Sequence, residues 1–247
     1  VARVDAMIAE VDLMFAAAAW AEARGGGWPV LVAEDEALVL VRARHPQLLA
    51  ELPPEAIVDL DLELGGAYDL LVVTGPNTGG KTVVLKTVGL LCCLARDGLP
   101  VTAAERSRVP LLRTVGADIG DAQSIENSLS TFSGHVQRIR SLLAAAGPGA
   151  LVLLDELGTG TDPEEGAALG QALLEALLAR GARVIANTHL GALKTFSLRT
   201  PRTENASMEF DPASRSPRFR LLGGVPGASH AADVAQRLGL DPAVVER

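Results

Sequence analysis

Lysine is almost missing from this sequence. Among 22 basic residues only Lys81, Lys86 and Lys194 are lysine, and the remainder are arginine. The arginine bias is read as genomic base composition before function. Basic charge as a whole is in deficit against 30 acidic residues, for a formal net charge of -8. Broad nucleic-acid grips neutralise phosphates with Lys and Arg, so the balance argues against one on this stretch of chain. Cysteine is scarce too. Cys92 and Cys93 are neighbours in an apolar run; they offer neither a disulfide framework nor metal-ligand spacing, and they point to a reducing compartment. Long apolar runs are lacking. "LMFAAAAWA" falls far short of the roughly 20 residues that cross a bilayer, and Asp5, Glu10 and Asp12 interrupt the start where a signal peptide would lie. The expectation is a soluble, cytoplasmic protein with no membrane partner. No internal repeat is visible.

What is present suffices for one large domain, or one domain with an appendage: 247 residues, 48% of them hydrophobic. Residues 1 to 24 carry Val4, Met7, Ile8, Val11, Met14, Phe15 and Ala18 at helical spacing, before "RGGGWP" breaks the pattern. A chain opening in mid-helix and closing on "DPAVVER", where Asp241 and Pro242 would start another helix, reads as a piece of something longer. Strands are expected at 37 to 43 and at 57 to 64, where Val58, Leu60, Leu62 and Leu64 alternate with Asp59, Asp61 and Glu63. "LLVV" before Gly75, "ALVLL" at 150 to 154 and "RVIANT" at 183 to 188 read as buried strands. Helices are expected from Lys81 towards Gly98, and over 131 to 146 with Phe132, Val136, Ile139 and Leu143 on one stripe. Others are expected over 163 to 180 behind the Asp162–Pro163 start signal, and from Ala228 to Leu238. "NASMEF" and "RFRLL" suggest a hairpin around "DPASRSP". Strands alternating with helices mean an α/β domain with a mostly parallel sheet.

"TGPNTGGKT", residues 74 to 82, follows a buried strand and opens a helix with the spacing G-x-x-x-x-G-K-T. That is the context a phosphate loop requires. Gly75, Gly79 and Gly80 let backbone N–H groups turn inward around an anion, and the helix contributes its positive end. Lys81 would reach the terminal phosphates, and the Thr82 hydroxyl would ligate Mg²⁺. "LVLLDE" places Asp155 and Glu156 at the C-terminal end of a buried strand, the edge where ligands bind in parallel sheets. Mg²⁺ is the natural partner for Asp155, and Glu156 would polarise the attacking water. A glutamate directly after the magnesium aspartate suggests hydrolysis rather than transfer.

"SLSTFSGH" gathers Ser128, Ser130, Thr131, Ser133 and Gly134 at the start of a helix, a ready phosphate site. One domain needs only one phosphate loop per nucleotide. This helix would therefore cap the nucleotide of a second copy, with two nucleotides sandwiched in a two-fold dimer. His189 in "ANTHLGAL" follows the next strand and could sense the γ-phosphate.

Together these residues resemble the MutS/ABC class of ATPases. "TGPNTGGKT" carries the Pro-Asn that MutS proteins place in this loop. "STF" matches the MutS signature, "DELGTGTDPEEG" its Walker B and D-loop, "THLGAL" its histidine switch, and "RHPQL" the motif opening its ATPase domain. "DIGDAQSIENSLSTFSGH", "ENASMEFD" and "GVPGASHAADVAQRLGL" resemble one branch, the bacterial MutS-two proteins. The resemblance implies an ABC-type P-loop fold with a mostly parallel sheet, an antiparallel β subdomain and an N-terminal lever helix. Residues 1–24 would be the end of the lever and 25–247 the ATPase domain. It implies a homodimer hydrolysing ATP with Mg²⁺, binding branched DNA through regions outside this chain, restraining homologous recombination and also acting on stalled ribosomes. The family's Smr nuclease domain would follow residue 247, so nuclease activity is not expected of this chain.

Position by position, the resemblance assigns Gly75, Pro76, Asn77, Thr78, Gly79, Gly80, Lys81 and Thr82 to phosphate and Mg²⁺. It gives Asp155 to the metal, Glu156 to water, Ser130 to the partner's γ-phosphate and His189 to the switch. Where MutS proteins place an aromatic on adenine, this chain has Ile57, so base packing would be aliphatic and adenine selectivity less strict. Gln123 is a candidate for coupling phosphate to lever. Two other readings compete: the nucleotide-binding subunit of an ABC-type transporter, which shares the composite-site logic, and a nucleotide-gated scaffold that barely turns over. Against the transporter, Leu-Ser-Gly-Gly-Gln is replaced by "LSTFSGH".

Overall fold

A computed structural model describes residues 2–75, 77–120, 128–211, 214 and 216–224. Its centre is a parallel sheet made by the apolar runs. The strands are β4 (Leu70–Thr74), β6 (Thr114–Asp118), β7 (Ala150–Leu154), β8 (Arg183–Asn187), β9 (Thr203–Asp211) and β10 (Ser216–Gly223). Their order is β10-β9-β4-β8-β7-β6. All pairs are parallel except the β9–β10 hairpin, which the sequence anticipated.

Strands β4, β7 and β8 are buried on both faces, and their alternate residues feed two different cores. Leu71, Val73, Leu151, Leu153 and Ile185 pack with helix α3 (Lys81–Arg96) on one face. Leu70, Val72, Val152, Leu154, Val184 and Ala186 pack on the other, against Leu142 of α4 (Ser128–Ala145) and Leu173, Leu174 and Leu177 of α5 (Pro163–Ala179). Leu193 and Phe196 of α6 (Gly191–Arg199) complete that layer. Asp162 caps α5 as expected, its carboxylate accepting from the N–H groups of Glu164 and Glu165.

A second sheet, ordered β1-β5-β2-β3, covers the α3 face. Its strands are β1 (Val30–Val32), β2 (Leu38–Ala43), β3 (Leu60–Leu64) and β5 (Arg108–Pro110). This is the expected antiparallel subdomain with one difference, since β1 and β5 run parallel. The strand expected from residue 57 begins only at Leu60. Two prolines precede it, and Pro54–Ala56 forms a 3-10 turn instead. Val58 thus lies outside the strand and is 37% exposed, whereas Leu60, Leu62 and Leu64 are buried. Strands β1, β5 and β6 and the helices α2 (Pro46–Glu51) and α6 carry too little periodicity to be anticipated.

Helix α1 (Ala2–Ala23) forms where expected, yet its apolar residues point outward: Met14 is 70% and Phe15 71% exposed. The stripe on α4 is only partly a core stripe. Ile139 and Leu143 pack inward, while Val136 is exposed. The helix expected over 228–238 and Gln123 lie outside the described residues. Among the described residues no helix is long and apolar enough to cross a membrane.

Candidate functional site

Three neighbouring strand ends build the site. Strand β8 lies between β4 and β7, so the loop after β4 and the carboxylates after β7 open on one edge of the sheet with β8 between them. Gly75 leaves β4 with φ 125 and Gly80 enters α3 with φ 90, both in the range that favours glycine. Asn77–Gly79 forms a 3-10 turn between them. Pro76 and the Asn77 side chain lie outside the description.

Lys81, the first residue of α3, is 3% exposed, and its Nζ donates to the Gly75 carbonyl at 2.6 Å. The ammonium thus lies across the mouth of the loop. Burial pushes the Lys81 ammonium below its ordinary value, against the raising pull of Glu156 and Asp155. That pull is the electrostatic sign that loop and carboxylates belong to one site. Direct contact confirms it: Thr82 Oγ1 donates to Asp155 Oδ1 at 3.3 Å.

Asn187, the last residue of β8, ties the two carboxylate residues together. Its buried side chain donates from Nδ2 to Asp155 Oδ1 and accepts at Oδ1 from the Glu156 N–H at 2.6 Å. Glu156 sits at φ 48, a conformation that costs a non-glycine residue about 1–2 kcal/mol. The sequence reading overlooked Asn187. Its signal was a polar residue closing an otherwise apolar strand.

His189 lies just past β8 and is exposed. Thr188 shapes that turn, its Oγ1 donating to the Leu157 carbonyl at 3.0 Å and accepting from Leu190 N–H at 3.1 Å. Ser130 belongs to the first turn of α4, but its side chain lies outside the description.

Beside the loop is an apolar cavity of about 290 Å³, lined by Ile57, His45, Gly80 and Phe219 among others. Ile57 and Gly80 of the loop thus share one lining. Phe219 was not anticipated. It sits at an irregularity in β10 with φ 56, and its ring would be 3.2 Å from a Cβ placed on Gly80. His45 caps α2, its Nδ1 accepting from Gln47 N–H at 3.2 Å, so Nε2 carries the ring proton. Burial first, and Lys86 second, lower the His45 pKa from 6.5, which keeps the ring neutral at pH 7.

A model of MutS domain V matches residues 71–247. The chain belongs to that family. It is 50% identical over 240 residues to "Endonuclease MutS2" of Pelotomaculum thermopropionicum, which covers 97% of this chain and 30% of that protein. It is 47% identical over 246 residues to "Endonuclease MutS2" of Geobacillus kaustophilus, covering 100% of this chain and 31% of the relative. The Lactiplantibacillus plantarum protein of the same name is 46% identical over 242 residues. The chain thus spans about 30% of the length of the curated relatives it matches. Membership in MutS domain V, with these relatives, leaves the transporter-subunit alternative without support.

The donor set fits the nucleotide and metal that the loop spacing implies. Thr82 and Asp155 present oxygen ligands to one point, as a hard divalent cation such as Mg²⁺ requires. Lys81 brings a cation to the loop mouth, and the adjoining cavity is lined mainly by apolar side chains.

Proposed function

We propose that this MutS domain V chain binds ATP with Mg²⁺ and hydrolyses it to drive shape changes in a longer DNA-associated protein. One observation carries the reading: Thr82 of the loop meets Asp155, with Lys81 beside it bonded across the loop to Gly75, and Glu156 one residue beyond Asp155 and tethered by Asn187. Loop N–H groups and Lys81 would hold the phosphates, and Thr82 and Asp155 the metal. Bound Mg²⁺ would neutralise charge on the phosphate oxygens. Glu156 would orient the attacking water and accept its proton. The base would lie in the cavity between Ile57 and Phe219, with aromatic packing coming from β10.

On this reading Ser130, at the tip of α4, serves the nucleotide of a second copy, and His189 reports the γ-phosphate. Two copies closing on two nucleotides would act as a clamp, with α1 the end of its lever. Branched DNA held by regions outside this chain is the proposed partner, restraint of recombination the proposed role, and stalled ribosomes a further target. The relatives' name speaks of an endonuclease; that activity is not proposed for this chain.

Glu156→Gln tests the core of the reading. It keeps volume and removes the carboxylate, so ATP binding should persist while phosphate release falls by roughly 100-fold or more. Turnover at the unsubstituted rate would take Glu156 out of the mechanism.

A further inference from the structure

Asp118 closes β6, beside the strand that carries Asp155. It is 5% exposed, and both its carboxylate and its backbone carbonyl are engaged. Its backbone carbonyl accepts from the Asp155 N–H at 2.9 Å. Its carboxylate meets His135 Nδ1 at 2.7 Å and accepts from Arg138 Nε at 2.5 Å. A carboxylate only accepts, so the His135 ring must carry its proton on Nδ1. His135 and Arg138 stand one turn apart on α4 and grip the same group. Both oxygens of a nearly buried acid are thus assigned to one helix, while the main chain of the same residue is assigned to the carboxylate loop.

We infer that Asp118 is a positioning residue that couples the tip of α4 to Asp155 and Glu156. The inference rests on the proposed role of that tip at a partner's nucleotide. A buried acid deprived of a partner is strongly destabilised, so α4 cannot slide along the sheet edge without breaking the pair. A second anchor works in the same sense. A Cβ on Gly116 of β6 would lie 2.4 Å from Leu142 of α4, so strand and helix are in close contact there too. Asp118, His135, Asp155 and Glu156 line one cavity of about 50 Å³, so α4 and the carboxylates face the same space. Docking of the tip against a second copy therefore sets the geometry of the carboxylates in the same chain. Each composite site would then sense the occupancy of the other.

The test uses the full polypeptide and reads turnover, nucleotide affinity and ATP-dependent association separately. Asp118→Asn keeps the shape and weakens both contacts to α4. Turnover should fall roughly tenfold, the loss of about one charge-assisted hydrogen bond, with fluorescent-ATP affinity unchanged. Arg138→Gln, at a half-exposed position, should do the same, and it carries the expectation should Asp118→Asn fail to fold. The double variant should be no slower than the worse single one, because both break one linkage. Additive losses, unsubstituted turnover, or parallel loss of affinity and melting temperature would each overturn the inference. Ser130→Ala assayed alongside separates the two levels. If it leaves turnover untouched, the shared-site reading fails. If it lowers turnover and Asp118→Asn does not, only the role of Asp118 fails.

Discussion

Asn187→Ala removes two contacts that act on different parts of the site. The first is the hydrogen bond to Asp155 Oδ1, worth about 1.5–3 kcal/mol because its acceptor is charged. The second is the bond from the Glu156 N–H, worth about 1 kcal/mol. Asn187 is fully buried, so water does not replace either contact freely. The sum predicts a stability loss of about 3 kcal/mol, which for a chain this size lowers the melting temperature by roughly 6–12 °C. Catalysis should suffer for a separate reason. The φ of 48 at Glu156 costs about 1–2 kcal/mol, comparable with the bond that holds it. Without that bond the carboxylate would spend most of its time out of place, and kcat should fall about tenfold. The phosphate loop hangs from β4, and its Lys81–Gly75 contact is untouched, so the apparent affinity for ATP should hold within about twofold. Steady-state phosphate release, fluorescent-nucleotide titration and thermal unfolding give the three numbers. A variant that melts early but turns over normally would show that Asn187 only supports the fold. Equal losses of kcat and of affinity would show that loop and carboxylates are not separable as claimed.

Two further outcomes follow from single contacts. Phe219→Ala removes an aromatic wall that is 52% exposed and borders the loop; nucleotide affinity should drop roughly five- to tenfold with little change in melting temperature, and an unchanged titration would move the base elsewhere. Burial pushes the Cys92 thiol up from 9.0 to about 12, so the folded chain keeps a proton that the unfolded chain loses above pH 9. Stability should be greatest below pH 9 and fall towards pH 12 by about 1.4 kcal/mol per pH unit. Urea unfolding at pH 8 and pH 10, compared with Cys92→Ala, measures that slope, and the same slope in both proteins would refute its assignment to Cys92.

The legible parts of this chain share one property: each is fixed by its immediate neighbours in sequence. The loop from Gly75 to Thr82 was legible because glycine spacing and a lysine at a helix start are local requirements. Asp155 and Glu156 were legible because an apolar run led into them. The buried strands and the cap of α5 follow for the same reason. Asn187, Phe219 and Asp118 were not legible as parts of the site, because their roles come from strand order. Asn187 matters only because β8 inserts between β4 and β7, though it follows both in the chain. Phe219 reaches Gly80 only because β9 pairs with β4 and brings the hairpin across the loop. Asp118 meets α4 only because β6 closes the sheet beside β7. Val58 failed in the opposite direction: its alternation was correct, and two upstream prolines delayed the strand. The division has a mechanistic consequence. Groups proposed to touch phosphate and metal sit on short local motifs, whereas groups that set their geometry come from elsewhere in the chain. Rearranging β8, β10 or α4 could therefore retune the site without altering its chemistry, as a nucleotide-driven clamp would require.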